Sequence, residues 1–207
     1  MIQVHHLNNS RSQRILWLLE ELGLEYEIVK HQRDPETNLA PEALTNVHRL
    51  GKSPVVVDGT DVIIESGAII EHLVQKFGGG RLRPSEGTPE ALLYLQLMHY
   101  SEGSAMLPLM LKLYVGRLGE AGAELTPRID SEIERHISYL ESLLEGKDWF
   151  VGNELSAADI QLSFAVQAAR MLYGMDKFPN LAAFLDRIKE RPAYEKALER
   201  GGEYAFG

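Results

Sequence analysis

Every strand-like run in this sequence falls within its first 65 residues, and everything after about residue 88 carries the three-to-four-residue apolar spacing of helices. A chain divided this way folds as a mixed unit followed by a helical one, not as one interleaved sheet. In the first part, residues 2–7 (IQVHHL) read as a strand. Residues 12–23 (SQRILWLLEELG) put Ile15, Leu18, Leu19 and Leu22 on one helical face, with Gly23 as the stop, and residues 25–30 (EYEIVK) alternate as a strand does. Strand, helix and strand within 30 residues predict a βαβ unit with parallel strands and a right-handed crossover.

The polar residues 31–40 read as loop, and Pro41 opens a short helix over 41–50. PVVV and DVIIE flank Asp58-Gly59-Thr60-Asp61 and predict a hairpin. Residues 66–77 (SGAIIEHLVQKF) predict a helix capped by Ser66, with Ile69, Ile70, Leu73, Val74 and Phe77 as its buried stripe. The glycine run 78–80 ends it.

Beyond it, Thr88-Pro89 opens a long helix to about residue 118, bent at Pro108. Further helices are expected from Thr126 (with Ile129, Ile133, Ile137, Leu140 and Leu144 in register), over 156–173, over 178–191 and over 192–200. The expected organisation is an α+β domain over 1–80 (βαβ, helix, ββα), a linker over 81–88 and an all-α domain over 89–207.

Composition narrows the function. The net charge of −9 argues against a nucleic-acid partner, which requires a basic face. No apolar run approaches the roughly 18–20 residues of a membrane span. The start MIQVHHL lacks a basic region followed by an apolar stretch, so the expected location is cytoplasmic. The chain has no cysteine, which excludes disulfides, thiolate metal sites and a protein-borne thiol nucleophile. Any sulfur chemistry must use sulfur that arrives with a substrate.

Three stretches can carry chemistry. In LGKSPVVVDG, Pro54 either opens an edge strand in the trans form or turns the chain in the cis form, leaving the Ser53 backbone to pair with an extended peptide. At Glu65-Ser66 the serine either caps a helix or joins the helix N-terminus in holding a carboxylate, while the glutamate holds an ammonium group. Together these would recognise the charged end of an amino acid.

In NNSRSQR, Ser10 either caps the first helix or offers its hydroxyl to a thiolate. An unperturbed thiol ionises near pKa ~8.5, and lowering that by about two units takes about 2.7 kcal/mol of preferential stabilisation. One hydrogen bond to a charged acceptor contributes roughly 1.5–3 kcal/mol, so a hydroxyl plus a helix terminus suffices. His5 and His6 point to opposite faces of a strand and cannot share one metal; no metal site is expected from the seven histidines. Ser156-Ala157-Ala158-Asp159 is a capping box with a hydrophobic staple from Leu155 to Ile160. Tyr94, Met98, Met106, Met110 and Tyr114 on the long helix belong either to the core or to a soft wall for apolar ligands.

The ordered set SRSQRILWLLEELGLEYE, GKSPVVVDG, ESGAIIEHL, the glycine linker, LSAADI and FPNLAAFLDRIKERPAY resembles the cytosolic glutathione transferases over nearly the whole chain. HHLNNSRSQR and LMHYSEGSAMLPLM resemble a bacterial and fungal branch of that family. The resemblance implies a thioredoxin-like first domain, an all-helical second domain and a two-fold homodimer. It implies a cis Pro54, backbone pairing of Ser53 with the cysteinyl part of glutathione, and recognition of the γ-glutamyl end by Glu65 and Ser66. Lys52 matches a lysine near the glycine carboxylate, and Arg11 is expected among the glutathione contacts.

Ser10, four residues before Arg14, best matches the family's serine position and is the expected catalytic residue; Asn9, Arg11, Ser12, His5 and His6 are competitors for stabilising the thiolate. Glutathione is thus a co-substrate, with no further cofactor. The expected reaction conjugates it to small apolar electrophiles. The alternatives are glutathione-dependent peroxide reduction and a ligand-binding module that kept the fold without the chemistry.

Overall fold

The computed structural model describes residues 1–206. Residues 1–81 form one compact unit together with 189–207, and 82–188 form the other. The C-terminal stretch, which the sequence placed in the helical domain, therefore folds with the first unit.

The first unit begins with β1 (Ile2–Leu7), α1 (Ser12–Leu22) and β2 (Tyr26–His31), the expected βαβ. After a 3-10 turn over Glu42–Asn46, shorter than the helix predicted for 41–50, come β3 (Val55–Asp58), β4 (Asp61–Ile63) and α2 (Ser66–Phe77). The four-stranded sheet has the order β2-β1-β3-β4. β1 and β2 are parallel, and β1–β3 and β3–β4 are antiparallel. This is the thioredoxin-like arrangement that the resemblance implies.

Valines and isoleucines suit the pleated, buried face of a sheet. Val4, Val55 and Val56 are sealed from solvent, as are Ile69, Ile70 and Leu73 of α2. α1 is more buried than one amphipathic face allows: every residue from Ser12 to Leu19 is buried. The cause is α8 (Pro192–Gly201), which packs along α1 with Tyr194 edge-on to Trp17 at 5.2 Å. Two charged clusters fix it there. Arg191 grips Glu21 with two nitrogens at 2.5 and 2.8 Å, and Glu20 accepts from Lys196 (2.6 Å), Arg200 (2.9 Å) and the Tyr26 hydroxyl (2.7 Å). α1 ends where predicted, at Gly23, whose φ of 70° is a left-handed stop that favours glycine.

The second unit contains α3 (Pro89–Tyr100), α4 (Met106–Gly116), α5 (Thr126–Leu143), α6 (Ala157–Leu172) and most of α7 (Pro179–Lys189). Thr88 caps α3 as predicted, its hydroxyl accepting the Ala91 N–H at 3.2 Å. The single long helix expected over 88–118 is instead interrupted by a π-turn, Ser101–Ala105. Pro108 has no N–H to give the carbonyl four residues back, and its ring crowds the preceding turn. The helix widens just upstream, where the Met106 N–H reaches Ser101 five residues away. The widened turn is held by the Ser101 hydroxyl, which donates to the Gln161 carbonyl on α6 at 2.9 Å.

α6 is the centre of this unit, buried from Ala157 to Ala169. Its capping box forms as read from the sequence, with the Asp159 carboxylate accepting from the Ser156 N–H (2.8 Å), the Ser156 hydroxyl (2.6 Å) and the Phe150 N–H (2.8 Å). Of the residues proposed as a soft wall, Tyr94, Met98 and Met106 are core, whereas Tyr114 is exposed. Among the described residues no helix is long and apolar enough to cross a membrane.

Candidate functional site

The strand directions decide where the chemistry-bearing residues meet. His5 of β1 pairs with Val55 of β3, and Val56 pairs with Ile63 of β4. The C-terminal ends of β1, β2 and β4 and the N-terminal end of β3 therefore lie along one end of the sheet. The loop 8–11, Ser53-Pro54 and Glu65-Ser66 all leave from that end, and so do the N-termini of α1 and α2. Two helix N-termini at the same end of the sheet bring partial positive charge, a setting that favours anions.

The Ser53–Pro54 peptide is cis, the second of the two alternatives the sequence left open. β4 stops opposite Val56, so the start of β3 has no partner strand on that side among the described residues. On its other side it is tied to β1: the Ser53 hydroxyl donates to the His5 carbonyl at 2.9 Å. Lys52, one residue earlier, is exposed.

Glu65 takes φ 66° and ψ 114°, outside the ordinary left-handed well and costly for a residue with a side chain. Backbone held in such a conformation clusters at functional sites. Glu65 occupies the cap position of α2, and Ser66, expected to be the cap, is instead its first helical residue and is buried. The physical reason is local: the distorted Glu65 backbone makes the turn into the helix, so Ser66 already has helical geometry, and Glu65 in the cap position makes no side-chain capping bond.

The loop after β1 is held on several sides. Asn9 adopts φ 51°, which asparagine tolerates. Arg33, in a stretch the sequence marked only as polar loop, donates to the Asn8 carbonyl (3.1 Å) and the Asn9 carbonyl (3.2 Å), and its own N–H reaches the Asn8 side chain (2.9 Å). The Asn9 side-chain oxygen accepts the Ala205 N–H at 2.7 Å. Neither Arg33 nor the C-terminal segment carried a local signal for this: one is a lone cation in a loop and the other lies almost 200 residues away.

Ser10 and Ser12 sit at the base of this loop, both buried. Ser10 receives the Ser12 N–H on its hydroxyl oxygen (3.2 Å), and the two hydroxyls are 2.8 Å apart. The Ser12 hydroxyl lies 2.8 Å from His6 Nδ1 and accepts the Leu7 N–H at 3.2 Å. Burial and the neighbouring Lys30 and His31 lower the His6 pKa to about 4, so its ring is neutral at physiological pH. His5, on the opposite face, stacks on His31 with their ring nitrogens 3.1 Å apart, and burial lowers its pKa as well. Arg11, half-buried, follows Ser10 at the entrance to α1.

The comparisons with known proteins agree with this architecture along nearly the whole chain. Residues 1–75 match the family model described as glutathione S-transferase, N-terminal domain, and residues 97–192 match that of the C-terminal domain. Glutathione S-transferase 3 of Schizosaccharomyces pombe is 34% identical over 97% of this chain and 88% of its own. A glutathione S-transferase from Actinobacillus pleuropneumoniae has a solved structure that superposes with a TM-score of 0.92 at 35% identity, covering 100% of this chain and 95% of that one. A glutathione transferase family member from Pseudomonas fluorescens, solved with two glutathione molecules bound, superposes with a TM-score of 0.80 at 25% identity, covering 96% and 92%. With both family domains in order and a relative of this closeness along its full length, the chain belongs to the glutathione S-transferase family and is a glutathione transferase.

Proposed function

We propose that glutathione lies extended across the shared end of the sheet and that its thiolate, formed beside Ser10, attacks small apolar electrophiles. The observation that carries this reading is the convergence of an unpaired strand start with two helix N-termini. The Ser53 backbone pairs with the cysteinyl part of the tripeptide, as an added strand would. The Glu65 carboxylate holds the γ-glutamyl ammonium, and the N-terminus of α2 with Ser66 holds its carboxylate. Lys52 and Arg11 are cations on the flanks for the glycine carboxylate. At the sulfur end, the positive terminus of α1 and the Ser10 hydroxyl stabilise the thiolate, and the thiol proton leaves to solvent. Orientation and thiolate stabilisation are the whole of the protein's contribution, with no covalent enzyme intermediate.

The protein works as a cytoplasmic detoxifying homodimer in this reading. Leu92 and Leu95 on α3 stand 59% and 51% exposed, and burial between two copies would remove them from water. Calorimetric titration with glutathione, paired with turnover of an aryl halide, tests the assignment. Ser66→Ala is expected to weaken glutathione binding about tenfold, the size of one charge-assisted hydrogen bond. Ser10→Ala is expected to raise the pKa of the bound thiol and to lower kcat more than affinity. No heat of binding with the wild-type protein would overturn the reading.

A further inference from the structure

We infer that Arg33 is a positioning residue: it holds the Asn8–Asn9 peptide with its carbonyl turned away from the thiol site and its N–H, that of Asn9, turned towards the bound sulfur. The inference rests on the reading that the glutathione thiol lies beside this loop, at Ser10.

The chain turns tightly over Asn8 and Asn9 on leaving β1. Asn9 has a positive φ of 51°, whereas Asn8 does not have a positive φ. A tight turn with positive φ at its third residue alone is of type II. In the type I form of the same turn the central peptide is turned over, and the third residue has negative φ. Exchanging the two forms therefore swaps which edge of the Asn8–Asn9 peptide, C=O or N–H, faces a given side.

Arg33 selects between them. Its Nε donates to the Asn8 carbonyl at 3.1 Å and one Nη to the Asn9 carbonyl at 3.2 Å. The other Nη donates to the Asn38 carbonyl at 3.1 Å. That carbonyl closes a turn in which the Asp34 carboxylate accepts the Glu36 N–H (3.1 Å) and the Thr37 N–H (2.7 Å). The Arg33 main-chain N–H holds the Asn8 side chain as well, at 2.9 Å. All three guanidinium nitrogens are thus committed to backbone oxygens, a grip that a planar fork can make and a lysine cannot.

Strand order supplies the direction. β1 lies between β2 and β3, Arg33 follows β2, and Ser53 precedes β3. The Asn8 carbonyl faces Arg33. A trans peptide carries its C=O and N–H on opposite edges, and Ser53–Pro54 is the one cis bond among the described residues. The Asn9 N–H therefore points away from Arg33, in the sense of β3 and Ser53, where the cysteinyl part of the tripeptide pairs in the proposed reading. Among the described residues this N–H meets no acceptor.

The two edges of that peptide act on a thiolate with opposite sign. With Arg33 in place, the Asn9 N–H is a second donor to the sulfur beside the Ser10 hydroxyl. Without the guanidinium, the left-handed Asn9 is free to return to ordinary negative φ, and the Asn8 carbonyl oxygen turns to the sulfur and opposes its charge.

The test is the pKa of enzyme-bound glutathione, read from the ultraviolet absorbance of its thiolate across a pH titration of the intact protein. Arg33→Lys keeps the charge and loses the fork, and should raise that pKa by about one unit, the size of one hydrogen bond to a charged acceptor. Turnover near neutral pH should fall several-fold, while affinity for S-methylglutathione, which has no thiol, should change less than twofold. Adding Asn9→Gly to Arg33→Lys should recover at least half of the shift, because glycine at the third position favours the type II form unaided. In the wild-type protein, the Asn9 amide proton resonance should move downfield as bound glutathione ionises and stay still with S-methylglutathione; this readout remains available should Arg33→Lys fail to fold.

An unmoved pKa in Arg33→Lys, an equal loss of S-methylglutathione affinity, or an Asn9 amide that ignores the thiol titration overturns the inference. If Ser10→Ala raises the pKa and Arg33→Lys does not, the role of Arg33 fails and the placement of the thiol stands. If neither variant moves it, the placement of the thiol beside this loop fails, and the role of Arg33 with it.

Discussion

Asp159 is a carboxylate sealed inside the second unit, and its removal should destabilise the protein more in acid than at neutral pH. Burial raises its pKa from 3.8 to about 6, against the lowering influence of its bonds to Ser156 and Phe150. That rise, net of those bonds, corresponds to about 3 kcal/mol against the ionised form. Alanine would leave the buried Phe150 and Ser156 N–H groups without this acceptor, at about 1–3 kcal/mol each, so Asp159→Ala should lose about 2–6 kcal/mol at neutral pH. The sign of the pH dependence follows from linkage. Between about pH 6 and 4 the native state holds a proton that the unfolded chain has released, so the wild type gains stability as pH falls through 6. Alanine has no such proton. The deficit of Asp159→Ala should therefore be about 1.4 kcal/mol larger at about pH 5 than at about pH 7.5. Urea unfolding followed by helicity at the two pH values measures it. A deficit that is constant or smaller in acid would refute the claim that this capping box is built on a buried, proton-binding carboxylate.

Three further outcomes follow from the first unit. His6 behaves in the opposite sense: its folded pKa of about 4 lies below its ordinary 6.5, so its contribution is complete above about pH 6.5 and lost as pH falls towards 4, by up to about 3 kcal/mol; the urea midpoints of wild type and His6→Gln should converge over that window. Arg191→Ala removes the two-nitrogen grip on Glu21 and, at this half-exposed position, should cost about 1 kcal/mol, read as several-fold faster proteolytic clipping of residues 192–206. Glu65→Gly should relieve a backbone conformation that costs of order 1 kcal/mol and raise Tm by a few degrees, while weakening glutathione binding by about tenfold; a variant that loses both stability and affinity would sink the idea that strain is kept there for the ligand.

Local pattern carried the elements and failed where the answer depended on distant neighbours. The alternation in EYEIVK, the stripe of Ile69, Ile70, Leu73 and Val74 and the box from Ser156 to Asp159 are each complete within a few residues, and each formed. Pro108 announced a break, but the distortion lies upstream in Ser101–Ala105, where the Gln161 carbonyl of another helix was available to a serine. The segment 192–200 read as a helix; its sequence could not tell that Trp17 lies against Tyr194. Ser10, Ser53, Glu65 and Ser66 were singled out from their local sequence, and the strand order brings their loops to one end of the sheet. Arg33 and Ala205 were not, since their role is to bond backbone and amide groups that no sequence signature marks.

These unforeseen contacts bear on the proposed thiol site. Arg33 draws the Asn8 and Asn9 carbonyls to one side, Ala205 takes the Asn9 side chain, and Ser12 is bonded to Leu7 and to Ser10. In the proposed reading, a loop so tied would have little freedom to rearrange on binding glutathione, and its donors would already be in place for a charge that has yet to form. Such preorganisation makes electrostatic stabilisation effective, because no reorganisation is left for the reacting step. It also limits what can be tuned. With the backbone fixed, the remaining degree of freedom beside Ser10 is the rotation of hydroxyl protons: the Ser10 and Ser12 hydroxyls lie 2.8 Å apart, and Ser12 lies 2.8 Å from His6 Nδ1. The C-terminal segment, by folding back on the first unit, adds one of the bonds that fix this loop, from the Ala205 N–H to the Asn9 side chain.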